Sequence, residues 1–144
     1  MTEVISPSFG SHVHQEHDFA AGPERVYEAL LDQRQFAAFS EAPAEIERVP
    51  GGSFTLVRGR VTGRNIELIP NQLIVQAWRV VPWEAGIYSI VRFKLCAKGN
   101  GTRLVLDHSG FPPEDLVARG RGWRRVYFDP LRKYLDTPTE TWRS

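Results

Sequence analysis

Two spacings of apolar residues divide this chain. Val26, Tyr27, Leu30 and Leu31 recur at helical spacing just after Gly22-Pro23. Proline is favoured at a first helical position, because the N–H it lacks would be unpaired there anyway. A second short helix is predicted over roughly 33–39, presenting Phe36 and Phe39. Ahead of both, HVHQEHDF at 12–19 alternates weakly and reads as a first strand.

From Ala44 the period changes from helical to alternating. AEIERV, SFTLVRGR, RNIELI, QLIVQAWRV, IYSIVRFKLCA and TRLVLDHSG each read as strands. They are separated by turn signals at Pro50-Gly51-Gly52, Thr62-Gly63, Pro70-Asn71 and Gly99-Asn100-Gly101. Strands in hairpin succession make an antiparallel sheet. After Pro112-Pro113 the helical period returns and runs to about Leu135.

In that last segment Trp123, Val126, Tyr127, Pro130, Leu131 and Tyr134 fall within an arc of about 140° at about 100° per residue. Such a stripe must be buried, and the concave face of the sheet is what it packs on. Pro130 removes a helical hydrogen bond and crowds the carbonyl of Val126. The apolar residues on either side keep to one face, which predicts one continuous helix bent at Pro130. A break at Phe128-Asp129 is the alternative.

Composition narrows the function classes. Lys plus Arg is 18 against 17 for Asp plus Glu, without the basic excess of a nucleic-acid binder. Cys96 is the only cysteine, so there is no internal disulfide and no cysteine-based zinc site. The first residues lack a secretory pattern, and no run approaches the roughly 20 apolar residues of a membrane span. A cytoplasmic protein is the expectation. It has a loose N-terminal lead over 1–11, one domain over 12–136 and a tail over 137–144 that carries Trp142.

Side-chain alternation nominates the site. Ile74, Gln76 and Trp78 share a strand face, as do Leu104, Leu106 and His108. A buried glutamine needs partners, which a neighbouring side chain, a water or a ligand can supply. His108 reads as a structural histidine, a ligand contact or a catalytic base, and its neighbour Asp107 points the other way. Ile87, Ser89, Val91, Phe93 and Leu95 read as an inward face. Phe54 and Leu56 share another, with Arg58 expected on the Phe54 side near the rim. His12 and His14 can share a face with His17 opposed, a poor set for a metal, and no metal or cofactor is expected. The basic run from Arg119 to Lys133 reads as a solvated helix face.

The run GRNIELIPNQLIVQAWR, the strand TRLVLDHSGF and the helix GWRRVYFDPLRKYL resemble the proteins named after the activator of the heat-shock-protein-90 ATPase. These form a branch of the START-like, birch-pollen-allergen-like helix-grip superfamily. The resemblance covers roughly Val13 to Leu135. Its most specific parts are Gly63, Pro70, Trp78, Thr102-Arg103-Leu104, His108, Gly110 and Gly122-Trp123. It implies an α+β fold: a curved antiparallel sheet wrapped around a long C-terminal helix, with two short helices after the first strand. It also implies a hydrophobic cavity between sheet and helix, which in the superfamily takes lipids, sterols, polyketides and other apolar molecules.

The function expected from both readings is non-enzymatic binding of a small hydrophobic or aromatic molecule. Phe39, Phe54, Trp78, Phe93, Trp123 and Tyr127 would form the apolar wall, and Gln76 and His108 would orient the ligand. Two alternatives stand beside it. One is a cyclase-, aromatase- or hydrolase-like enzyme using His108. The other is a co-chaperone or stress-response interaction module, although eukaryotic co-chaperones of this family carry a further N-terminal chaperone-binding domain that is not visible in these 144 residues.

Overall fold

The computed structural model describes residues 11–136. The lead expected over 1–11, apart from Ser11, and the tail expected over 137–144 lie outside the described residues.

Strand β1 (His12–Phe19) is followed by α1 (Pro23–Leu31) and α2 (Gln33–Ser40). Six strands then follow: β2 (Glu45–Ile46), β3 (Ser53–Leu56), β4 (Val61–Ile69), β5 (Leu73–Val80), β6 (Ser89–Lys98) and β7 (Gly101–Ser109). They form one seven-stranded antiparallel sheet in the order β1-β7-β6-β5-β4-β3-β2. The C-terminal helix lies against it as α3 (Leu116–Gly122), a π-helical segment (Trp123–Phe128) and α4 (Asp129–Asp136). This is the α+β helix-grip arrangement that the resemblance implies, with the antiparallel sheet and packed C-terminal helix that the alternating pattern and the helical stripe predict.

The inward faces follow the period of two. Ser89, Val91, Phe93 and Leu95 are buried while Ile90, Arg92, Lys94 and Cys96 are exposed. Thr102, Leu104, Leu106 and His108 are likewise buried on β7. Opposite them the helices supply Leu30, Leu31, Phe36, Phe39, Trp123, Tyr127, Phe128 and Leu131 to one core.

Three local expectations are corrected. Thr62-Gly63 lies inside β4 instead of forming a turn. Gly63 pairs with Trp78 on one side and Phe54 on the other. A Cβ there would lie 1.9 Å from the Ala77 carbonyl oxygen and 2.5 Å from Phe54 Cζ, so glycine is what lets the Phe54 ring lie across the strand. Second, β3 stops at Leu56, because Val57 and Arg58 take left-handed backbone at φ 53° and 59° to turn the chain. Arg58 is therefore off the Phe54 face; its guanidinium reaches the Glu41 carbonyl at 3.5 Å. Third, Val126 does not belong to the buried stripe, being 43% exposed, and Phe128, fully buried, takes its place.

That exchange follows from the π-helical segment. Asp129 N–H donates to the Arg124 carbonyl, five residues back, and the backbone keeps helical angles through Gly122, Trp123 and Asp129. The helix is continuous through Pro130. Widening the turn ahead of the proline moves the preceding carbonyls, which relieves the crowding a proline ring meets in a regular helix.

Among the described residues no helix is long and apolar enough to cross a membrane.

Candidate functional site

Strand β5 places Trp78 inward, and the C-terminal helix brings Trp123 onto it with ring centroids 4.7 Å apart. Tyr127 closes the group at 4.6 Å from Trp123 and 5.9 Å from Trp78. Phe93 stacks on Tyr127 at 5.9 Å, and Phe36 meets it edge-on at 5.2 Å. The two tryptophans thus face the same interior and pack against each other. The space left over lies beside them.

It is a pocket of about 350 Å³ between the helix and one end of the β3–β5 region. Val57, Val61, Trp78 and Val80 line it from the sheet side, and Gly122, Trp123, Val126 and Tyr127 from the helix. Arg60, from the β3–β4 turn, and Arg119, from α3, complete the lining, which contains no carboxylate. Gly122 widens it: a Cβ built there would have no heavy atom within 4 Å. Burial raises the Tyr127 phenol pKa far above its ordinary value, so its hydroxyl stays protonated.

The expected site residues divide. Trp78, Trp123 and Tyr127 line the pocket. Phe54 and Phe93 are buried in the core behind it. Phe39 lines a separate groove with Glu41, Arg125, Pro130 and Lys133. Gln76 and His108, expected to orient a ligand, are bonded within the protein. Gln76 donates to Asn65 Oδ1 at 2.9 Å and accepts from Trp78 Nε1 at 2.9 Å. Asn65 in turn donates to the Glu47 carbonyl at 2.9 Å. The irregularity in β4 between Asn65 and Glu67 accompanies this inward turn of Asn65, which is 1% exposed.

His108 is fully buried. Trp123 Nε1–H can only donate, and it does so to His108 Nδ1 at 3.0 Å. The neutral ring therefore carries its proton on Nε2, which donates to Ser89 Oγ at 2.7 Å. Burial pushes the His108 pKa down to about 3, with the charges of Arg119 and His12 adding to the effect. Both nitrogens are engaged, and the residue is not among those lining the pocket. Asp107 faces the other side of β7, where it bonds His12 at 2.9 Å and His14 at 2.8 Å. Among the described residues no cluster of three or more His, Cys, Asp or Glu is arranged to hold a metal.

Arg60, Arg119, Val57, Val61, Val80, Gly122 and Val126 escaped the sequence reading as pocket residues. Arg119 sits in a basic run and looks solvated, yet its side chain is only 22% exposed. A glycine inside an otherwise helical stretch, Gly122, is the one signal in the sequence that could have marked the gap.

With this geometry in hand, comparison with known proteins decides the family. A profile of the family described as "Activator of Hsp90 ATPase homolog 1-like protein" matches residues 20–136. The chain belongs to this family. It is 31% identical over 115 residues to the human activator of 90 kDa heat shock protein ATPase homolog 1, a match covering 80% of this chain and 34% of that protein. A Schizosaccharomyces pombe protein of uncharacterised role is 32% identical over 121 residues, covering 83% of this chain and 36% of the relative. The chain thus spans about a third of the length of the curated relatives it matches. Among solved structures, an Hsp90 activator from Plasmodium falciparum superposes with a TM-score of 0.81 at 25% identity, covering 90% of this chain and 99% of that one.

Proposed function

We propose that this protein binds a small, largely apolar molecule in the pocket beside Trp78, Trp123 and Tyr127. The observation that carries the reading is the pocket of about 350 Å³ itself. Protein cores pack to near-crystal density, so an apolar space of this size asks for an occupant. Its volume is at the small end of the range for ligand sites, about 300–1,000 Å³. One or two fused rings, or a short chain, suit it better than a sterol. The test is titration with the neutral fluorophore N-phenyl-1-naphthylamine. The wild type should enhance its emission saturably. Gly122→Leu, which projects a side chain into open space, should abolish binding while the protein stays folded. No saturable binding, or undiminished binding by the variant, would overturn the reading.

A second reading, a protein partner, is favoured by the match to the human Hsp90 ATPase activator homolog. If this chain acts in that way, adding it to purified Hsp90 should raise ATP turnover. Substitutions of exposed residues such as Val117 should then matter more than filling the pocket at Gly122.

A further inference from the structure

Two cations flank an apolar pocket that contains no carboxylate. Arg119 is mostly covered by protein. Its Nε–H is buried without a hydrogen-bond acceptor. The nearest carboxylate oxygen, Asp115 Oδ2, lies 3.6 Å away, an ion-pair separation too long for a hydrogen bond. That same oxygen accepts a hydrogen bond from Trp83 Nε1 at 2.5 Å. Arg60 is exposed at the pocket's edge, and among the described residues its guanidinium makes no hydrogen bond or ion pair. The two side chains repel: the charge of Arg60 and, more strongly, burial both lower the pKa of Arg119, against the opposing pull of Asp115. With Arg60 and Arg119 positive and Asp115 negative, the rim keeps one uncompensated positive charge.

A largely desolvated guanidinium on the pocket lining and a second, unpaired cation beside it are features that a purely hydrocarbon ligand would not use. Resting on the reading of the pocket as a ligand site, we infer that its ligand is an anionic amphiphile. Its apolar ring or short chain lies against Trp78, Trp123 and Tyr127, and its carboxylate or sulfonate head lies between Arg60 and Arg119. Asp115 then serves as the counter-ion that holds Arg119 in place when the pocket is empty, and the ligand's head supplies the second negative charge.

The test compares two near-isosteric probes, 8-anilinonaphthalene-1-sulfonate and its uncharged analogue N-phenyl-1-naphthylamine. The wild type should bind the sulfonate about tenfold or more tightly than the neutral probe, the scale of one charge-assisted hydrogen bond. Arg60→Gln and Arg119→Gln should each reduce that preference, weakening the sulfonate more than the neutral probe. Arg92→Gln, on the outer face of β6, should alter neither. Arg60 is exposed, so its substitution remains informative even where Arg119→Gln unfolds the protein. Equal affinity for both probes would overturn the anionic inference and leave the pocket reading standing. A sulfonate preference that survives both substitutions places the anion elsewhere and also overturns it. Failure of the neutral probe to bind would sink the pocket reading and, with it, this inference.

Discussion

Trp123 Nε1 reaches across from the C-terminal helix to His108 Nδ1 on β7, 3.0 Å away, in a hydrogen bond with no access to water. The bond requires a neutral imidazole, because a protonated ring has no lone pair to accept it. Helix docking is therefore tied to the protonation of one buried histidine.

The first prediction is a pH dependence. Free histidine titrates near 6.5, whereas His108 in the fold is held down to about 3. Between those values the unfolded chain binds a proton that the folded chain refuses. Stability is then complete above pH 6.5 and falls as the pH drops toward 3. His17, stacked on Phe128 and pushed down to about 4 by burial and by Arg132 and Arg124, acts in the same direction. His14, raised chiefly by its bond to Asp107, acts in the opposite direction at the surface. For His108 the loss between pH 7 and pH 4 should be roughly 3 kcal/mol. Urea midpoints at the two pH values should fall less in His108→Gln than in the wild type; identical falls would contradict the assignment.

Gln76→Leu tests the buried amide chain. It should leave the Trp78 indole N–H and the Asn65 side-chain Oδ1 without partners. The cost should be about 1–3 kcal/mol for each stranded group, read from equilibrium denaturation. A near-neutral substitution would show that the packing of Trp78 does not depend on this chain.

Gly63 and Gly122 should respond oppositely to alanine. At Gly63 the new methyl meets a carbonyl oxygen of the neighbouring strand at 1.9 Å, and backbone cannot step aside cheaply. Destabilisation of about 1–3 kcal/mol or more is expected. At Gly122 the methyl enters open space in a helix, so Gly122→Ala should stabilise by up to about 1 kcal/mol. Thermal midpoints moving in the same direction would refute this pair.

Removing the indole of Trp123 should cost roughly 3–5 kcal/mol, because the ring is buried among Trp78, Phe93, Tyr127 and Phe128. If Trp123→Ala also shifts the pocket toward larger neutral probes, the ring is a wall of the site as well as core.

The strands and the two short helices were legible because their signals are local. Alternation at Phe93 and Leu95, or at Leu104 and Leu106, reports burial directly, and Pro23 announces a helix. Gln76 and His108 were recognisable as inward-facing polar residues, but their partners were not. Asn65 and Trp123 are 11 and 15 residues away in sequence, and nothing in the spacing links them. The pocket was harder still. It is made by what is absent at Gly122 and by a turn at Val57 and Arg58 whose left-handed backbone no alternating pattern announces. Arg119 illustrates the same difficulty, since a charge in a basic run looks alike whether it faces solvent or a cavity.

The wide turn at Trp123–Phe128 has a consequence for how such chains can vary in length. Tyr127 and Phe128 are adjacent, yet both are buried, while Val126 turns outward. A five-back hydrogen bond accommodates one residue more than a regular helix would over the same rise. Deleting one exposed residue there, Arg124 or Arg125, would return the segment to ordinary helical winding. Leu131 and Leu135 could keep their seats while the rings ahead of them rotated around the pocket. Single-residue insertion and deletion, usually confined to loops, thus becomes a way to change the shape of an interior wall from within a helix.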